Sequence, residues 1–185
     1  MGDDPRRCVG GVLGVRLPGE IALGVHIADG RKSATIAAAG RDSETGKILA
    51  DALPFWDHPR SLMVRLAKLV IDHDPVAVCV NPKSESATLL KPAMEAGIVL
   101  TLMSVEDVVV AHGEFLDLVN EQQLVHLDQP HLTAAVRAGL QRPLAGAQAW
   151  DPKVPVDQSP LMAATWACWG FRRWEELAQP GAWVM

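Results

Sequence analysis

The stretch EIALGVHIADGRKSATIAAAG, residues 20–40, decides the fold. An apolar run reaches Ile27, Asp29 and Gly30 supply turn residues, and a second apolar run follows from Ser33 to Ala39. This run, turn and run predict paired antiparallel strands over 20–27 and 33–39. Working forward, Glu44 to Gly46 reads as another turn and KILADAL, residues 47–53, as a third strand, which completes a three-strand meander. Working backward, Gly and Pro interrupt any element in GGVLGVRLPGE, so residues 1–19 are expected to form a flexible N-terminal segment and 20–185 the folded domain.

Beyond the meander, Leu62, Leu66, Leu69 and Val70 recur at helical spacing between Pro59 and His73, with Asp57 placed to cap the start and Pro75 to stop the pattern. Val76 to Val80 is a short apolar run ending at Asn81-Pro82, the form of a strand buried on both faces. A helix over 85–96 closed by Gly97 comes next, followed by a strand over 98–103. Ser104 and Asp107 then form a capping-box pattern that opens a helix to about Asn120. Two further helices are expected over 131–140 and 160–177. Three antiparallel strands leading into alternating helix and strand predict an α/β, RNase H-like mixed sheet: an antiparallel meander followed by parallel strands, flanked by helices.

A chain of 185 residues that is 49% hydrophobic suits one globular domain with a substantial core. Its net charge of -5 argues against holding nucleic acid by overall electrostatics and leaves that task to a local basic patch. Cys8, Cys79 and Cys168 are widely separated and odd in number, a pattern of neither a zinc site nor a disulfide framework, so a reducing cytoplasm is expected. The acidic opening MGDDPRR precedes no long apolar segment, so neither a signal peptide nor a membrane span is expected. Arg6 stands where a myristoylation signal needs Ser or Thr.

Open α/β sheets place ligands at the carboxyl ends of their strands, here His26 to Asp29 and Asn81 to Lys83. Asp157, just before the helix in VPVDQSPLMAATWACWG, is a third candidate, although an acid there also reads as a helix cap. Arg31, Lys32, Lys83, Arg142 and Lys153 are candidates for a phosphate-facing rim, with solvated surface charge as the alternative for each. Glu44-Thr45-Gly46-Lys47 lacks the upstream glycine and downstream hydroxyl of a phosphate loop and reads as a turn. His73-Asp74 reads as a solvated helix end, and His112, His126 and His131 are scattered. Trp166, Trp169 and Trp174 recur at helical spacing beside Arg172 and Arg173; stacking on DNA bases is one reading, and core packing or burial under another subunit is the plainer one for Trp166 and Trp169.

Several of these pieces together resemble a known family. They are HLDQPHL with its histidine and proline, the Arg142-Pro143-Leu144 triplet, Trp150 with basic Lys153, and Asp157-x-Ser-Pro-Leu leading into an Ala- and Thr-rich helix. Extended back through PVAVCVNPKSESATLL to IALGVHIADGRKSATIAAAG, they make roughly Glu20 to Gly170 similar to the nuclease domain of large terminase subunits from tailed phages of actinobacteria. The resemblance implies an RNase H-like endonuclease that cuts concatemeric phage DNA during genome packaging, in the bacterial host cytoplasm. Double-stranded DNA is the implied substrate. A separate terminase ATPase, a small terminase subunit or the portal are the implied partners, and no membrane is involved. No stretch carries the phosphate loop of a packaging motor, so the chain is expected to be an excised domain or to work with a separate motor.

Carried over position by position, the family's first acid falls at His26, a nearby second acid at Asp29, the central-strand acid at Asn81 and the last acid at Asp157. These four form the implied catalytic and metal set, for Mg2+ or Mn2+, and two of them are not carboxylates. Hard Mg2+ is held by carboxylate oxygens and water, and paired ions stabilise both attacking and leaving oxygens in phosphodiester cleavage. At an effective dielectric of about 20, a charge about 4 Å from a divalent ion is worth several kcal/mol before desolvation. The usual two-ion site is therefore not expected to fill. The Asn81 carbonyl and His26 imidazole match a softer Mn2+ or Zn2+ better, and the alternative for His26 is a buried, hydrogen-bonded histidine in a lapsed site. Two functions follow as expectations: a weakened or inactive metal-dependent nuclease, or a non-catalytic module that binds DNA or terminase and regulates or interferes with packaging.

Overall fold

The computed structural model describes residues 19–55 and 59–179. The expectations for Cys8, for Asp57 as a cap and for a flexible segment before Gly19 lie outside those residues.

The meander forms as β1 (Ile21–Ile27), β2 (Ala34–Arg41) and β3 (Ile48–Phe55), antiparallel throughout. On the free side of β1, β4 (Ala77–Val80) pairs in parallel and β5 (Thr101–Leu102) pairs in parallel with β4. At the other edge β6 (Leu124–His126) runs parallel to β3, giving a 6-stranded mixed sheet in the order β5-β4-β1-β2-β3-β6. A separate hairpin, β7 (Gln141–Leu144) and β8 (Ala147–Trp150), follows α4. The helices are α1 (Pro59–His73), α2 (Leu90–Glu95), α3 (Val105–Asn120), α4 (Pro130–Ala138) and α5 (Ser159–Ala178).

Strand side chains alternate between faces, and here the two faces carry different sizes. Leu23, Val25, Ile27 and Ile36 pack on α1 through Leu62, Leu66 and Leu69. Ala22, Ala37, Ala39 and Ala50 face α3, α4 and α5. The small face lets α5 approach very closely. A Cβ built on Gly24 would lie 2.1 Å from the Ala163 carbonyl oxygen and 2.5 Å from the Ala167 nitrogen, so only glycine fits beneath the helix backbone. Every residue of α5 from Ser159 to Phe171 is buried.

Ser104 and Asp107 close the expected capping box at the start of α3. The strand expected over 98–103 contracts to two residues because β4 ends at Val80, opposite Leu102. Ile98 N–H instead donates to the Ala93 carbonyl and finishes α2. The helix expected over 85–96 divides into a 3-10 turn (Glu85–Leu89) and α2, whose first turn contains Pro92, a residue without an N–H and tolerated only near a helix start. The Asp29-Gly30 turn is a 3-10 turn (Asp29–Arg31) rather than a tight two-residue hairpin, with Gly30 at φ 72 and Arg31 at φ 56. Strand β6 and the β7–β8 hairpin have no counterpart in the sequence reading.

Candidate functional site

Strands β1 and β4 are adjacent and parallel, with Val25 opposite Val80. The next residues along, His26 and Asn81, therefore emerge together at the carboxyl edge of the sheet. His26 alternates with Gly24 and so lies on the face that α5 covers, and only 3% of it is exposed. Its Nδ1 has no hydrogen-bond partner. Burial lowers its pKa to about 4, partly opposed by the charges of Asp157 and Asp29, so the imidazole is neutral at physiological pH.

Asp157 reaches the same edge from the segment before α5. Its Oδ2 accepts hydrogen bonds from Ser33 Oγ at 2.7 Å and Ser159 Oγ at 3.0 Å, and its Oδ1 accepts from the Ser159 N–H at 2.9 Å. The helix-capping alternative is thus realised in part: Asp157 ties down the first residue of α5 while also reaching across to the start of β2. Ser159 Oγ lies 2.9 Å from Thr35 Oγ1, and Thr35 is the cross-strand partner of His26. Ser33, Thr35 and Ser159 escaped the sequence reading. The available signal was Thr35, a polar residue inside the otherwise apolar run of β2.

Asn81 Oδ1 accepts from the Lys83 N–H at 2.9 Å, a local turn that fixes the orientation of its amide. Asp29, exposed on the 3-10 turn, lines two cavities. The larger, about 410 Å³, brings Asp29 together with Lys32, Lys153 and Asp157. The smaller, about 90 Å³, brings it together with His26, Asn81, Lys83 and Arg142. Arg31 lines neither. Eight of the nine sequence candidates thus gather around one corner of the sheet, which Pro152 bridges by lining both cavities.

Of the four carried-over positions two are carboxylates, Asp29 and Asp157, one is a buried neutral imidazole and one an amide. Among the described residues no three His, Cys, Asp or Glu side chains are grouped so as to hold a metal ion. Of the other sequence candidates, His112 packs edge-on against Trp150 with centroids 4.5 Å apart, Trp166 and Trp169 are core residues, and Trp174 is partly buried against the same core. Arg173 lies over the Trp169 ring at 5.5 Å. Among the described residues no helix is long and apolar enough to cross a membrane.

No protein-family model and no curated protein matches the chain in sequence. Solved structures do match it in fold. The large terminase nuclease from thermophilic phage G20c superposes with a TM-score of 0.65 at 15% identity, covering 82% of this chain and 82% of that one. The HK97 bacteriophage large terminase superposes at 0.63 and 15% identity over 84% of this chain, which spans 40% of the length of that terminase. The large terminase nuclease domain of bacteriophage SPP1, solved with bound Mn, superposes at 0.52 and 17% identity over 84% of this chain and 86% of that domain. The six-stranded mixed sheet with its flanking helices is accordingly the RNase H-like fold of phage large terminase nuclease domains.

Proposed function

We propose that the chain is a terminase-type nuclease domain of the phage DNA-packaging machinery whose strand-end centre no longer assembles paired divalent ions, so that it cuts DNA weakly or not at all. The observation that carries this reading is Asp157, the one carried-over acid on α5's approach, with both oxygens held by Ser33 and Ser159 beside a neutral His26. The SPP1 relative binds Mn, and a G20c nuclease structure holds magnesium. A Mg2+ or Mn2+ ion at this corner would find only Asp29 as an unengaged carboxylate among the four carried-over residues.

What the corner retains is a basic rim. Lys32, Lys83, Arg142 and Lys153 line the two cavities and give double-stranded DNA a local positive surface on an acidic chain. This supports the second reading, a module that binds DNA and engages a separate terminase ATPase, the small terminase subunit or the portal without cutting.

Plasmid nicking in Mg2+ tests the proposal. The unmodified protein should nick little, and His26→Asp with Asn81→Asp should raise nicking well above it. Each single change should recover little, because residues of a metal site act as a unit. Asp157→Ala added to the double variant should abolish the gain. An unmodified protein that nicks as fast as the double variant would overturn the proposal.

A further inference from the structure

Away from the strand ends, a groove of about 330 Å³ opens between α3, β6 and α4. Phe115, Val119, Leu124, Leu132 and Val136 give it apolar walls, and Arg137 brings a cation to its side. Val119 and Val136 remain 44% and 47% exposed, so apolar surface faces water here. A stable interface between two copies takes about 800 Å² from each partner, more than a slot of this size presents. The groove suits one or two large side chains on a short segment. The end of α5 is anchored nearby. Glu175 accepts two hydrogen bonds of 2.7 Å from Arg41. Arg41 pairs across the sheet with Ile48, and Ile48 with Leu124 in the groove wall. Strands lie about 4.8 Å apart, so the last turn of α5 is held roughly 10 Å to the side of Leu124. The helix stops at Ala178, and Gln179 is extended at φ -69 and ψ 130, the conformation a residue before proline favours. Residues 180–185, PGAWVM, follow in the sequence; they place Trp183, Val184 and Met185 in a row and carry no charged side chain. Six extended residues reach about 20 Å, enough to cross that gap.

We propose that the groove between α3, β6 and α4 is the docking site of this chain's own apolar run Trp183-Val184-Met185. Trp183 supplies the largest apolar side chain of the run and a ring face for the Arg137 guanidinium. The chain already uses that pairing on α5, where Arg173 lies over the Trp169 ring at 5.5 Å. Val184 and Met185 cover the exposed sides of Val119 and Val136. The docked run acts as a clasp: it ties the far end of α5 to α4 and to β6, the short strand at the edge of the sheet.

The test compares methyl NMR spectra of the full chain, of Trp183→Ala and of the chain ended after Gln179. Val119, Leu132 and Val136 methyls should show upfield ring-current shifts in the full chain that both variants lose, while the Leu66 methyls on the opposite face of the sheet stay unmoved. The indole N–H signal that disappears in Trp183→Ala identifies Trp183. In Val136→Lys, a change at a half-exposed position that leaves the core intact, this signal should move to the position of a solvated tryptophan. The shifts should persist on dilution, because the run and the groove belong to one molecule. Groove methyls identical in all three proteins overturn the inference and leave the groove to another partner. An indole signal unmoved by Val136→Lys overturns it as well. Shifts that vanish on dilution, together with sedimentation as a dimer, assign the run to the groove of a second copy and overturn the single-chain clasp. None of these readouts involves the strand-end corner, so the clasp and the lapsed nuclease fail separately.

Discussion

The two faces of the central sheet solve the same packing problem with opposite residue sizes. The face under α1 uses Leu23, Val25, Ile27 and Ile36, interdigitating with leucines of an ordinary amphipathic helix. The face under α5 uses glycine and alanine and brings a helix backbone directly onto the strands. The candidate site sits at the end of the second face. Because α5 lies so close, a side chain at position 26 is enclosed by Met162, Trp166 and their neighbours instead of standing in an open, hydrated cleft. A carboxylate there would require metal ions to offset its burial; a neutral histidine does not.

This contrast can be broken on either face. Gly24→Val should be the most damaging single change, costing more than about 4 kcal/mol and preventing folding, since the atoms it meets are backbone that cannot swing away. Expression yield and thermal unfolding check it, and a stable Gly24→Val protein would mean that α5 does not lie on β1 as described. On the opposite face, Leu66→Ala removes a fully buried side chain but leaves neighbours that can relax. It should lower stability by about 2–5 kcal/mol in denaturant titration while the protein still folds.

A third effect comes from His26 itself. Its folded pKa of about 4 lies below the usual 6.5, so the unfolded chain takes up the proton first as pH falls. The stability due to the neutral imidazole is complete above about pH 6.5 and lost progressively toward pH 4, a change on the order of 3 kcal/mol. Burial also lowers the pKa of His112, which adds to the slope in the same direction. Unfolding free energies over this range, compared between the unmodified protein and His26→Asn, isolate the His26 part. An unchanged slope in the variant would place the imidazole in contact with solvent.

Much of this architecture was legible in residue pattern. β1 to β3 announce themselves because long apolar runs alternate with Asp-Gly and Thr-Gly turns, α1 because its apolar period spans several turns, and α3 because Ser104 and Asp107 mark its start. The β7–β8 hairpin was hidden because Gln141 to Pro143 is polar and exposed, with a proline inside, and because its turn places Ala145 at φ 48 ahead of Gly146, a conformation alanine rarely takes. β6 is three partly exposed residues at a sheet edge, too short for alternation to register. At the site, the candidates came from strand ends and resemblance, whereas the Ser33, Thr35, Ser159 and Asp157 hydrogen bonds join segments more than a hundred residues apart, which no local pattern encodes. Gly24 was the readable clue to α5: a glycine inside an apolar strand marks a close approach.

The central proposal is that this corner of the fold does not assemble paired divalent ions, because of the chemistry of positions 26 and 81. Counting bound Mn2+ by electron paramagnetic resonance tests it most directly, since Mn2+ is paramagnetic and takes the carboxylate and carbonyl oxygens that Mg2+ takes. The account predicts no stoichiometric Mn2+ bound to the unmodified protein at millimolar metal, and two ions per chain in His26→Asp/Asn81→Asp. Two ions bound by the unmodified protein, displaced by Asp29→Ala, would contradict it.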